Sequence, residues 1–312
     1  MSPAQGQFSP TAFIDNYLRH QYHVDEARER AERYAARPPR ENPDAIRFWP
    51  SQASIVLPQP GGLPTRVFGN CHRKSYWALL GEAPSNPVEP KGTRKMLAGG
   101  VLEDQESDLA EKAGLKVERQ VKFEYQMGPE VLVSGKVDLI VWPPDVMHRV
   151  GVEYKSGYGY YFSQQVIGNS KHVGKPKVEN VLQVMLYLDA LRDIPYFVMP
   201  YIDRGEMDWK EHIVSLSAAS NMIHRLAIIN GMPNQDMNLA AIYRRYRQLA
   251  EYVATKTLPD RDYELQYDSA KVDRLHSAGL LSKSKYEKHQ QGKVVGDWEC
   301  AYCPFRAKCW GK

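Results

Sequence analysis

Residues 131–155 read VLVSGKVDLIVWPPDVMHRVGVEYK, and they decide the fold because polarity in them changes with a period of two. In the first half Val137, Leu139 and Val141 alternate with Lys136 and Asp138 before Ile140 breaks the polar side. In the second half Val150, Val152 and Tyr154 alternate with Gly151, Glu153 and Lys155. Two strands are expected, joined as a hairpin. Side chains on a strand alternate faces, so Glu153 and Lys155 share the side opposite Val152 and Tyr154.

Outward from this pair the period becomes helical. A helix is expected from about Lys177 to Arg192, with Val178, Val181, Leu182, Met185 and Leu188 on its buried stripe. Apolar strands follow near Tyr196 to Ile202 and Trp209 to Leu216, after which helices are expected to dominate. The strongest runs from Asn238 to Thr255, where Leu239, Ile242, Tyr243, Tyr246, Leu249 and Tyr252 keep helical spacing. Upstream, helices are expected from Cys71 to Leu80 and from Thr93 to Ala113, the latter capped at Gly114. From Pro38 to Pro64 seven prolines and the Gly61-Gly62 pair predict an extended connector. Before it, Pro10 to Ala36 carries a helical pattern that turns strongly charged. The sum is an α/β chain.

At 312 residues, 43% hydrophobic and 25% charged, the chain reads as a soluble globular protein with a sizeable core. No stretch approaches the roughly 18 apolar residues of a membrane helix, and the start, MSPAQGQFSPTAF, lacks the features of a secretory signal. A cytoplasmic setting is expected, in which thiols stay reduced, so Cys71 and the trio Cys300-x2-Cys303-x5-Cys309 point to an inorganic site rather than disulfides. Four thiolates hold zinc or an iron-sulfur cluster equally well by spacing alone. A lone cysteine more than two hundred residues from the trio fits a staple between chain ends better than a zinc ribbon. A formal charge of +4 is too small to argue a whole-protein attraction to nucleic acid.

Asp138, fourteen residues, then Glu153-x-Lys155 is an arrangement suited to phosphodiester hydrolysis. Two carboxylates from neighbouring strands can hold a hard divalent cation, and the lysine can orient an attacking water or offset charge on the phosphate. On spacing alone Glu153 and Lys155 are also readable as an exposed cross-face pair. Gln183 and Tyr187 lie four apart, on one helix face leaning toward the same place. After Lys155 come Gly157-Tyr158-Gly159-Tyr160-Tyr161-Phe162 and then Lys171, His172, Lys175 and Lys177. Here Tyr158, Tyr160, Lys171 and Lys175 are candidates for DNA contact, by stacking and by charge, with packing of the tyrosines on helices as the alternative. Arg244, Arg245 and Arg247 read as a solvated helix face, and His72, Arg73 and Lys74 as phosphate contacts or an exposed helix start.

Gly135-Lys136-Val137-Asp138, Glu153-Tyr154-Lys155 and Gln183-Val184-Met185-Leu186-Tyr187 together resemble the RecB-like branch of the PD-(D/E)XK nuclease superfamily in order and distance. The cysteines resemble its iron-sulfur subset, which includes the nuclease of CRISPR spacer acquisition and the AddB-type nuclease domain. The resemblance runs from about Ser51 to Trp310 and divides the chain into a helical extension, 1–50, and a nuclease domain, 51–312. It implies a restriction-endonuclease-like central mixed sheet flanked by helices, with a helical iron-sulfur clamp joining the chain ends. It also implies a magnesium or manganese ion at Glu103, Asp138, Glu153 and the Tyr154 carbonyl, with Lys155 activating water and Gln183 and Tyr187 positioning the strand. Cys71, Cys300, Cys303 and Cys309 would hold a 4Fe-4S cluster. One departure is that the family's histidine ligand on the preceding helix is replaced here, in Gly99-Gly100-Val101-Leu102-Glu103, by Glu103, with Asp104 and Glu106 as alternatives. The expected activity is exonucleolytic cleavage of single-stranded DNA ends. The rivals are a zinc-holding nucleic-acid adaptor and a subunit that acts only with a helicase, recombination or CRISPR-adaptation partner.

Overall fold

The computed structural model describes residues 44–59, 63–144, 147–218 and 224–311, together with six helical positions between 19 and 28. The rest of the expected Pro10 to Ala36 helix lies outside the described residues. In chain order the elements are β1 (Ile46–Phe48), β2 (Ser54–Leu57), β3 (Arg66–Gly69), α1 (His72–Leu79), α2 (Pro90–Lys112), β4 (Lys116–Gly128), β5 (Val131–Trp142), β6 (Val150–Val152) and β7 (Lys155–Gly157). There follow α3 (Val178–Ala190), β8 (Tyr196–Asp203), β9 (Trp209–Leu216), β10 (Leu226–Ile229), β11 (Met232–Asn238) and α4 (Leu239–Thr255). Four short helices close the chain: α5 (Ser269–Ser277), α6 (Lys283–Gln290), α7 (Trp298–Ala301) and α8 (Arg306–Trp310).

Among the described residues nine strands form one mixed sheet in the order β1-β5-β6-β8-β9-β10-β11, with β4 also on β5 and β7 also on β8. The expected hairpin is β5–β6, paired antiparallel from Leu139 opposite Val152 to Val141 opposite Val150. β6 and β7 both run parallel to β8, and α3 supplies the crossover that parallel strands require. Its residues Val181, Leu182, Val184, Met185, Leu186 and Leu188 are all buried. The helix has no wet face at its centre because β9 packs on it as well as β3 and the turn Pro50–Gln52. Truncating Leu182 to alanine there costs about 2–5 kcal/mol. α4 begins where its cap predicts: the Asn238 side chain accepts from the Ala241 N–H at 2.8 Å. α2 starts with Pro90 in its first turn and is followed by Gly114 at φ +91°.

Four expectations need correction. The described part of the proline-rich stretch is no connector: β1 pairs in parallel with β5, β2 pairs with β3, and Phe48 and Ile55 are fully buried. Its prolines flank these short strands; Pro50 opens the turn between them, where its missing N–H costs nothing. The stretch Val150 to Lys155 is two strands interrupted at Glu153-Tyr154. Helices do not follow β9 directly, since β10 and β11 extend the sheet. Arg245 faces inward on α4, bonding Ser54 Oγ at 3.1 Å and Asp262 Oδ2 at 2.7 Å, while Arg244 and Arg247 are exposed as expected.

Candidate active site

The pairing of β5 with β6 stops at Leu139–Val152, and the next residue of β5 is Asp138. There the backbone ladder gives way. The Tyr154 N–H donates to Asp138 Oδ2 at 3.0 Å, and the Glu153 N–H turns the other way, to the Val198 carbonyl of β8 at 3.0 Å. Divergence of the strands thus opens a fork that Asp138 closes with its side chain. Glu153 stands inside it, 1% exposed. Its Oε1 accepts from Lys155 Nζ at 2.5 Å and from Gln183 Nε2 at 2.8 Å, while its Oε2 is buried without a partner. Gln183 also donates to the Tyr187 hydroxyl, which donates to the Lys136 carbonyl at 3.3 Å. Asp138, Glu153, Lys155, Gln183 and Tyr187 are therefore together, with the lysine and glutamate on one side as strand alternation requires.

Electrostatics follow from that crowding. Burial, and then the charge of Glu153, push the Asp138 carboxyl up to about 9. Glu103, half-buried on α2, is raised by burial and then by Glu153. Asp104 bears on Glu103, and Glu106 on the Tyr154 phenol, which burial raises to about 12. Of the three candidate acids on α2, Glu103, Asp104 and Glu106, Glu103 is thus the one whose charge meets Glu153 directly. Burial pulls the Lys155 ammonium down, but Glu153 and Asp138 outweigh it and hold the group above its ordinary value. The Tyr187 phenol is driven well above its usual range by burial, then by Glu153. Among the described residues no three His, Cys, Asp or Glu side chains stand as a ready-made metal shell.

One residue of this site had no part in the sequence reading. Gln120 Nε2 donates to Glu103 Oε1. Gln120 stands in β4 between the pairs Arg119–Leu139 and Val121–Val137, directly across from Asp138, with φ +53°. A left-handed residue inside a strand costs of order 1–3 kcal/mol and persists where its surroundings impose it. The strand itself was legible: Val117, Val121, Phe123, Tyr125 and Met127 alternate with Glu118, Gln120, Lys122, Glu124 and Gln126.

The cysteines come from a separate set of elements. Cys71 precedes the first residue of α1, Cys300 and Cys309 lie on α7 and α8, and Cys303 sits between them; all four are free thiols. Burial raises Cys71 and Cys303, and raises Cys300 to about 12, with Cys71 and Cys303 adding to the Cys300 shift and Cys309 to that of Cys303. Around them, Arg73 donates to the Pro259 carbonyl at 2.6 Å and to Cys309 Sγ at 3.7 Å. Asp262 Oδ2 accepts from the His72 N–H at 2.7 Å as well as from Arg245. His72 and Arg73 thus belong to internal packing, not to an exposed helix start.

Of the candidates for DNA contact, Tyr158 and Tyr160 are exposed, Tyr160 to 83%. Lys171 and Lys175 are exposed on a tight loop in which Asn169 Oδ1 accepts from the Lys171 and His172 N–H groups, and neither lysine pairs with an acid among the described residues.

A mixed sheet flanked by helices, carrying an acid–lysine fork where two strands part, has the restriction-endonuclease-like architecture. The family model of the PD-(D/E)XK nuclease superfamily matches residues 70–310, and the chain belongs to that superfamily. Among solved structures, the crystal structure of SSO0001 is similar over 94% of this chain and 98% of that one, at 14% identity and a TM-score of 0.44. No curated protein matches the chain. No helix among the described residues is long and apolar enough to cross a membrane.

Proposed function

We propose that this chain is a magnesium- or manganese-dependent deoxyribonuclease that digests single-stranded DNA from its ends. The observation that carries the reading is the fork: Glu153 offers one oxygen to Lys155 and Gln183 and keeps the other, buried Oε2 without an N–H donor, with the Asp138 carboxyl beside it. An unpartnered carboxylate oxygen beside two carboxyls raised by burial and mutual repulsion is the donor chemistry that a hard cation relieves. Glu103, Asp138, Glu153 and the Tyr154 carbonyl would hold it. When bound, the ion supplies a water of lowered pKa and offsets charge on the phosphate.

The remaining roles belong to the chain. Lys155 stays charged at neutral pH, and its ammonium, tethered to Glu153, orients the attacking water and faces charge developing on the phosphate oxygens. Gln183 fixes the glutamate by one oxygen and Tyr187 by its hydroxyl, and that phenol stays a protonated donor throughout the working pH range. In this reading Gln183 positions the scissile strand and the buried Tyr187 acts through it.

Cys71, Cys300, Cys303 and Cys309 would bind a 4Fe-4S cluster. Free thiols, one buried and three half-buried, with Cys71 and Cys303 raising Cys300, fit a cationic core that takes up their thiolates, and four protein ligands leave no open position for substrate, so its role is structural. One anaerobic preparation tests both sites. The expected result is a brown protein with iron and sulfide that shortens an end-labelled single strand with manganese and not with chelator. Zinc in a colourless protein overturns the cluster, and an intact strand overturns the nuclease.

A further inference from the structure

The aromatic run after β7 contains a second cluster, outside the fork. Tyr158 stands half-exposed three residues beyond Lys155, with Lys95 Nζ 5.0 Å and Arg204 Cζ 5.2 Å from the centre of its ring. The arrangement is built rather than incidental. The Arg204 N–H donates to the Gly157 carbonyl at 2.8 Å, and its guanidinium donates to the Lys95 carbonyl at 3.1 Å, tying the turn after β8 to both β7 and α2. Arg204 Nε is buried with no partner. The nearby acids do not neutralise the cations: Asp203 is buried and spends its Oδ1 on the Gly205 N–H, and among the described residues neither Glu206 nor Asp208 pairs with Arg204 or Lys95. Lys91 adds a third cation whose charge reaches Tyr158.

Two elements lead from the fork to this cluster. Along β7 the step from Lys155 to Tyr158 is about 10 Å at the usual strand rise. On α2, Lys95, Gly99 and Glu103 are spaced by four and share one face, so the same stripe carries a fork carboxylate at one end and a cation of the cluster at the other, about 12 Å apart. Between them Gly99 lies beside β7, where a Cβ would make an ordinary contact 3.5 Å from Ser156 Oγ.

We propose that Lys95, Tyr158 and Arg204 form a subsite for the unpaired strand next to the scissile phosphate, the ring stacking on a base and the two cations meeting the adjoining phosphates. A half-exposed ring with two unneutralised cations over it is chemistry for single-stranded nucleic acid, whose bases are free to stack on such rings and guanidinium planes. The inference rests on the nuclease reading of the fork, and binding separates the two. The full chain carrying Asp138→Ala, which blocks cleavage, is titrated against fluorescein-labelled oligothymidylate and a blunt duplex at several salt concentrations. Adding Lys95→Ala with Arg204→Ala weakens single-strand binding at least about tenfold and lowers the salt slope by about 1.4, the release expected for two phosphates. Tyr158→Ala weakens it about tenfold while Tyr158→Phe retains it. Lys95→Ala alone, on an exposed helix face, gives half the slope change if Arg204→Ala disturbs folding. An unchanged slope, or an equal loss on the duplex, overturns the subsite. Binding that follows these expectations in a chain whose wild type cleaves nothing keeps the subsite and removes the nuclease.

Discussion

The acidic fork and the cysteine-bearing region each gather groups from separate segments, but one is held by backbone register and the other by side chains. In the fork, Asp138 and Glu153 arrive on the two arms of one hairpin, and the last ladder pair, Leu139–Val152, sets where they meet. In the cysteine-bearing region Cys71 and Cys300 come from segments more than two hundred residues apart. Side-chain bonds hold that region: Asp262 to His72 and Arg245, and Asp297 to Arg66, Tyr267 and the Glu264 N–H. A site set by register tolerates loss of a side chain without losing its frame. A site set by side chains and bound groups does not.

The largest effect expected from this contrast is in cleavage. Asp138→Asn keeps an oxygen for the Tyr154 N–H, removes a metal-ligating carboxylate and relieves the cost of holding a carboxyl protonated beside Glu153, so it should cut the cleavage rate by about 10²–10³-fold, the usual loss for a preorganised charged group. Its thermal unfolding should be unchanged or improved. A variant that instead unfolds would break the distinction between the two regions. Among the cysteines, if they hold the proposed cluster, Cys300→Ala should strip its iron and lower stability by several kcal/mol, on the order of a lost structural metal site. Iron analysis beside a melting curve reads this directly, and a melting curve that does not move would show the side-chain bonds sufficient by themselves.

The third expectation is a pH dependence. The folded Asp138 carboxyl, near 9 against an ordinary 3.8, contributes stability that is fully present below about 3.8 and lost as pH rises through about 9. Metal-free wild type should therefore lose stability relative to Asp138→Asn across that window, by at most about 1.4 kcal/mol per pH unit. Denaturant titrations of both proteins in chelator measure the gap; parallel curves would mean the carboxyl is not held protonated. The smallest effect is at Gln120. Gln120→Gly relieves the left-handed backbone and should add roughly 0.5–1 kcal/mol of stability while lowering activity by freeing Glu103. Loss of stability with unchanged activity would place Gln120 outside the site.

What could be read from the sequence followed the same division. The hairpin, α3 and α4 were legible because their apolar residues repeat with the period of the element, and register then placed Asp138, Glu153 and Lys155 together. β4 was missed although its alternation is nearly continuous, since Arg119 stands where an apolar residue would complete it. β1 and β2 were hidden by prolines that flank strands rather than interrupt them. The inward turn of Arg245 depends on Ser54 and Asp262, the first of them 191 positions away, and nothing local in an arginine-rich helix marks it. Neither the φ of Gln120 nor the meeting of Lys95 with Arg204 has a signature in composition or period, because both arise only when α2, β4 and the turn after β8 are brought together.

The central claim is tested most directly by following an end-labelled single strand with purified wild-type protein and with Glu153→Gln, each in manganese and in chelator. The account predicts progressive shortening by the wild type in manganese alone and none by Glu153→Gln under either condition. Shortening by Glu153→Gln at the wild-type rate, or an intact strand with the wild type in manganese, would contradict it.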